Sequence, residues 1–186
     1  MLYSDLQQFL IITLISGFLV VTLWECLAPA VPSATWGDWA KHFGKNFILW
    51  VLGMGFIHLI FADAPTTSAL WAGQYKVGLF NLLKIPTIFT LILGFLVVDF
   101  SDYILHRLMH KWRLLWLIHS VHHSDTYLDV STNFRVHPLQ PAALILWKLL
   151  VTFAFGIPLW ILWMRELIVI PISQLHHANI HWSPLA

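Results

Sequence analysis

A run of apolar residues as long as a bilayer is thick leaves a chain few ways to fold, and this sequence opens with one. A helix needs roughly 20 apolar residues to cross a hydrocarbon core about 30 Å thick. Residues 9–28 meet that length, with Glu25 near the end where it can reach the interface. The start of the chain has no basic segment of the kind that precedes a cleaved signal, so the run reads as a retained membrane helix. Further apolar stretches follow at 47–62, which is long enough when extended back to Phe43, and at 77–98, 141–157 and 159–172. The third is interrupted by Asn81, Lys84 and Pro86, so its first part reads as interfacial and residues 87–98 as deeply buried. The last two flank Pro158, as a tight helical hairpin or one kinked helix. Residues 29–45 read as a loop that sets Trp36 and Trp39 at headgroup level, and residues 64–67 as a turn.

Only 10% of the residues are charged, against about 25% in soluble domains. The pattern predicts an all-α, polytopic integral membrane bundle of four or five hydrophobic helices, one membrane domain over residues 1–186. A formal net charge of +1 argues against nucleic acid as a partner, because phosphate neutralisation needs a basic face. The single cysteine, Cys26, excludes a disulfide within the chain and any cysteine-based zinc ribbon. The polar segment 101–140 carries Arg107, Lys111, Arg113 and Arg135, which by the positive-inside rule places it in the cytoplasm. Lys41 and Lys45 fall on the same side, and the N-terminus outside.

Nine of the eleven histidines lie between His106 and His181. His106 and His110 are four apart, which on a helix stacks them about 5–6 Å apart, close enough to share an ion. His119 and His123 repeat the spacing, while His122 points about 100° away from His123. Three ligands fanned in this way suit two ions, with His119 and His123 leaning to one and His122 to the other. A straight helix from His106 to His123 would put the two groups on opposite faces, since nine residues turn it by about 900°, half a turn net. The spacing therefore predicts a break between Lys111 and Leu115, although no glycine or proline is there to make it. A hairpin over residues 141–172 would bring His176, His177 and His181 back beside these groups, and His137 is a further candidate. His42 and His58 read as packing.

All-imidazole ligation suits zinc, copper, iron or nickel rather than magnesium or calcium. A structural zinc closes at four ligands, fewer than this cluster offers, and neutral imidazoles leave an ion's charge free to hold oxygen-derived ligands. Both points favour non-haem iron handling dioxygen, with zinc as a substitute metal. Asp99, Asp102 and Asp125 are candidates to accept hydrogen bonds from the ligating rings and fix their tautomers.

The residues also match a known pattern. DFSDYILHRLMH (99–110) resembles the first histidine box of the sterol desaturase/fatty acid hydroxylase superfamily, and LWLIHSVHHS (115–124) resembles the second. NFRVHPL (133–139) and HAN (177–179) are similar to the elements that follow, so the resemblance covers about residues 96–180, in order and spacing. It implies a helical membrane enzyme with a cytoplasmic-face, histidine-ligated di-iron centre. Such an enzyme uses dioxygen to hydroxylate or desaturate an unactivated C–H bond of a lipid: a sterol, fatty acyl chain or related molecule. By carry-over, the ligands to two iron ions would be His106, His110, His119, His122, His123 and His177. His137, His176 and His181 stay as further metal candidates. No flavin, haem or iron–sulfur motif is present, so electrons are expected from an external donor, a reductase, ferredoxin or cytochrome. Members usually carry a further His-x-x-His-His box after the histidine–asparagine element, and the sequence reaches Ala186 before one. The expectation is a fragment, or a shortened product with incomplete metal sites.

Three other classes share part of this pattern. A truncated, non-catalytic membrane metal-binding protein shares every feature above. A bis-histidine haem protein needs facing histidines at equal depth on two spans, which clustered boxes do not supply. A transporter is disfavoured by the scarcity of mid-span ionisable groups and the lack of an inverted repeat.

Overall fold

Helix ends in this protein fall where a cap or a special backbone angle stops them. The computed structural model describes residues 2–31, 35–61 and 64–181, with side chains from residue 8 onward. The end of the second expected run at residue 62 and the stretch leading to Ala186 lie outside them. The first helix, α1 (Leu2–Leu27), is followed by α2 (Trp36–Phe61). The expected loop over 29–45 is shorter than anticipated because Thr35 caps α2: its Oγ1 accepts from the Asp38 N–H at 3.1 Å and donates to Asp38 Oδ2 at 2.8 Å. The expected turn at 64–67 is instead the first turn of α3 (Ala64–Gln74). Pro65 fits there because first-turn N–H groups have no helical partner to lose, and Ser68 Oγ closes back onto the Pro65 carbonyl at 2.8 Å.

After the short α4 (Leu79–Leu82), Pro86 precedes α5 (Thr87–Lys111). Then come α6 (Arg113–His123), a 3-10 turn at Val130–Phe134, α7 (Gln140–Phe155) and α8 (Leu159–His177). Among the described residues there is no strand, only an isolated bridge between Pro29 and Ile180. Three stretches are long and apolar enough to cross a membrane, Gln8–Leu27, Trp36–Leu82 and Thr87–Lys111. Many of their large apolar side chains face outward, as lipid contact requires: Leu59 is 87% exposed. The chain is an all-α membrane bundle.

α7 and α8 form the hairpin, turned by Gly156 at φ 70°. A Cβ at Gly156 would stand 2.5 Å from both Asn81 Nδ2 and the Val77 carbonyl, and one at Gly78 would overlap the Gly156 backbone. The hairpin is thereby seated on α4, over a core of Ala69, Phe80, Val98, Ile157, Leu159, Ile161 and Leu162. α5 continues well past Val98, the expected limit of deep burial, because its acids find partners across the bundle. Buried Arg165 on α8 meets Asp102 at 2.8 Å and Asp99 at 3.5 Å, and Lys148 on α7 bonds Glu166. The turn back along α8 returns the chain to the end where α5 and α6 finish.

Candidate metal centre

The predicted break is a single residue. Trp112 is extended (φ −91°, ψ 121°) between α5 and α6, and this folds α6 back against α5. The fold places His106 and His110, in the last two turns of α5, opposite His119 and His123 of α6. One nitrogen from each of these four rings lies within 4.8 Å of all the others. Nε2 of His106 and Nε2 of His110 are 3.2 Å apart, as are those of His119 and His123. Two imidazoles bound to one ion at about 2.0–2.1 Å in tetrahedral geometry would hold their nitrogens about 3.3 Å apart. The hairpin brings His177 to His122, again with 3.2 Å between Nε2 atoms. The rings of His122 and His119 are 5.6 Å apart, so this pair adjoins the four-histidine set.

The rings are oriented for ligation. His177 Nδ1 faces the Ser173 carbonyl at 2.8 Å and must donate to it, so in the neutral ring Nε2, turned to His122, is the free lone pair. His119 Nδ1 faces Gln140 Oε1 at 3.2 Å, with the same result for its Nε2. The carboxylates expected in this role serve elsewhere. Asp99 and Asp102 hold Arg165, while Asp125 accepts from Thr132 Oγ1 at 2.8 Å and Asn46 Nδ2 at 3.3 Å. Gln140 gave one sequence signal that went unread, a polar side chain at the head of an apolar run.

α5, α6 and α8 all end at this cluster. A helix C-terminus carries roughly half a negative charge, so three of them favour a cation where, among the described residues, no carboxylate joins the four converging rings. The donor set thus fits a soft-to-borderline divalent metal, iron or zinc among them. His106, His110 and His123 are exposed and His119 is buried. The remaining candidates sit apart: His137 Nδ1 accepts from the Leu139 N–H at 3.1 Å, and His176 and His181 are exposed outside the cluster.

A polar frame holds α6 in place. Arg135 donates from Nε to the Val121 carbonyl at 3.2 Å, from Nη2 to Ser124 Oγ at 3.1 Å, and from Nη1 to Asn46 Oδ1 at 3.0 Å. Glu25, expected at the interface, is buried, and its Oε1 accepts from the Val130 and Asn179 N–H groups. Asn179 Nδ2 donates to the Val31 carbonyl at 2.7 Å and Tyr127 Oη at 2.9 Å. The histidine–asparagine element is thus half ligand candidate and half clamp.

Burial pushes His119 down to about 4 against the opposing Gln140 bond, and burial followed by neighbouring His177 does the same to His122. Both are neutral at pH 7, with lone pairs free for metal. Their folded values lie below the unfolded value of about 6.5, so on acidification the unfolded chain takes up protons first. Metal-free protein is therefore expected to keep full stability above about pH 6.5 and lose it progressively toward about pH 4. Melting temperatures across that window will show the decline, and a His122→Gln variant a shallower one.

Residues 91–186, about half the chain, match the fatty acid hydroxylase family, and the chain belongs to it, within the sterol desaturase/fatty acid hydroxylase superfamily. An ornithine lipid hydroxylase of Rhizobium tropici is 31% identical over 96 residues, 51% of this chain and 29% of its own length. The alkylglycerol monooxygenase of Danio rerio is 41% identical over 58 residues, 30% of this chain and 13% of its own. The human enzyme of that name is 34% identical over 82 residues, 44% and 18% respectively. The chain thus spans less than a third of each of these relatives. No solved structure matches.

Proposed function

We propose that this chain carries the metal-binding part of a membrane oxidoreductase that uses dioxygen to hydroxylate a C–H bond of a lipid. The observation that carries the reading is the convergence of His106, His110, His119 and His123 within 4.8 Å, beside the His122–His177 pair. The first set would hold one iron ion and the pair would contribute to a second. The metal, when bound, supplies dioxygen activation. The protein's own part is to keep His119 and His122 neutral through burial, to aim the rings of His119 and His177 through Gln140 and the Ser173 carbonyl, and to anchor α6 through Arg135. One oxygen atom enters the C–H bond and the other leaves as water, which consumes two electrons from an external donor and two protons. The relatives' names favour hydroxylation over desaturation, and both name lipids, which supports a lipid substrate. The basic residues of segment 101–140 support a cytoplasmic-side centre.

A specific observation keeps a second reading: among the described residues the His122–His177 pair offers only two nitrogens. A metal-binding protein without turnover would have this arrangement. Full-length protein in lipid nanodiscs, loaded with iron and supplied with a reductant and isotopically labelled dioxygen, separates the two. One labelled oxygen per hydroxylated lipid is expected. Iron-loaded protein that yields no labelled lipid would overturn the oxygenase reading and leave metal binding alone.

A further inference from the structure

The corner between α5 and α6 carries Arg107, Lys111 and Arg113, and no acidic residue occurs anywhere from Tyr103 to Ser124. All three bases are exposed, and none is ion-paired among the described residues; Arg107 Nη1 donates to Tyr103 Oη at 2.9 Å. α6 itself has two faces. Trp116, His119 and His123 turn toward the metal ligands, with the Trp116 ring 5.4 Å from that of His110. At 100° per residue, Leu114, Leu117 and Val121 fall on the opposite stripe. Leu114 is 80% exposed, Leu117 58%, and Trp112 at the corner 61%. Among the described residues α5 is the one helix that α6 packs against extensively, so Leu114 and Leu117 stay open, while Val121 at the far end is half-buried beside Arg135.

We infer that α6 is an interfacial helix that docks on anionic phospholipid. Its outer apolar stripe sits at the boundary of headgroups and acyl chains, with Trp112 at headgroup level and the three bases on lipid phosphates. An amphipathic helix with basic flanks and leucine and tryptophan on its apolar side has the chemistry for this position. A second copy of the chain would cover the leucines but would bring together like charges at the corner. Because α6 carries His119, His122 and His123, the anionic surface acts as a structural partner of the histidine cluster, whichever reaction the cluster supports.

The test uses the full chain with Cys26→Ser, a single cysteine at Leu117→Cys or Ser120→Cys, and a polarity-sensitive fluorophore on it. The proteins are placed in nanodiscs of phosphatidylcholine, with or without phosphatidylglycerol. The label at 117 is expected to shift to the blue with phosphatidylglycerol, and to lose that shift in high salt or on Arg107→Gln, Lys111→Gln and Arg113→Gln replacement. The label at 120 is expected to stay water-like throughout. In the unsubstituted chain, phosphatidylglycerol should slow tryptic cleavage after Lys111 and Arg113 relative to Lys41 and Lys45. A water-like label at 117 in both lipids would overturn the proposal. So would a blue shift indifferent to lipid charge: one that fades when each disc holds a single chain would put a second copy on the stripe, and one that persists would put the stripe in neutral lipid or against this chain itself.

Discussion

Replacing His119 with alanine is expected to bring the metal content of the purified protein down to background. His119 is the ligand candidate at the centre of the cluster, 2% exposed, with ring centroids of His106, His110 and His123 at 4.8, 5.0 and 4.8 Å. Its loss takes away one of four converging nitrogens, the one 3.2 Å from His123 Nε2. Gln140→Ala removes only the acceptor that holds the ring in its tautomer, so a weakening of metal affinity of about 10- to 100-fold is expected. His176→Ala, on the exposed side of α8, is expected to change nothing. Metal analysis of the three variants after equal chelator washes reads all three expectations. Metal retained in His119→Ala would show that the ion is bound elsewhere.

The second large effect is expected at Arg165. Its guanidinium reaches Asp102 at 2.8 Å and Asp99 at 3.5 Å from α8, and Glu166 at 3.6 Å from Nη1. The side chain is only 8% exposed, and its partners lie on α5, a helix long and apolar enough to cross a membrane. Removing one partner of a fully buried ion pair costs about 3–5 kcal/mol, because the other charge stays behind unpaired. The partial exposure of Asp102 (25%) and Asp99 (55%) brings the cost here below that range. Here two cations, Lys148 and Arg165, face three carboxylates, so Arg165→Ala leaves the surplus of negative charge larger still. The expected result is a marked loss of thermal stability in detergent. Arg165→Met combined with Asp102→Leu should cost less than either alone, since apolar replacement of both partners is often near neutral. If Arg165→Ala melts like the parent, the pair contributes nothing to the fold.

Much of the site was legible because histidine spacing at i,i+4 has one simple helical meaning. The return of His177 was legible too, since two apolar runs around Pro158 can only double back or continue. The break at Trp112 was required by the rotation between His110 and His119, yet its cause left no trace. An extended residue is open to any side chain, so neither glycine nor proline marks it. The turn expected at residues 64–67 misread a proline that suits a helix's first turn. The acids were misassigned for a different reason. Proximity in sequence put Asp99 and Asp102 beside His106, but their partner comes from α8, and only the folded bundle places Arg165 across from them. Glu25 shows the same limit, drawn inward by backbone N–H groups of Val130 and Asn179, both distant in sequence.

The central claim is that these imidazoles hold metal. X-ray absorption at the iron edge on the iron-loaded full chain in nanodiscs, with iron per chain measured on the same sample, tests it most directly. The expected result is bound iron with nitrogen-dominated coordination and imidazole scattering, which the His119→Ala chain lacks. Iron absent after a mild chelator wash, or coordinated by oxygen alone, would contradict it.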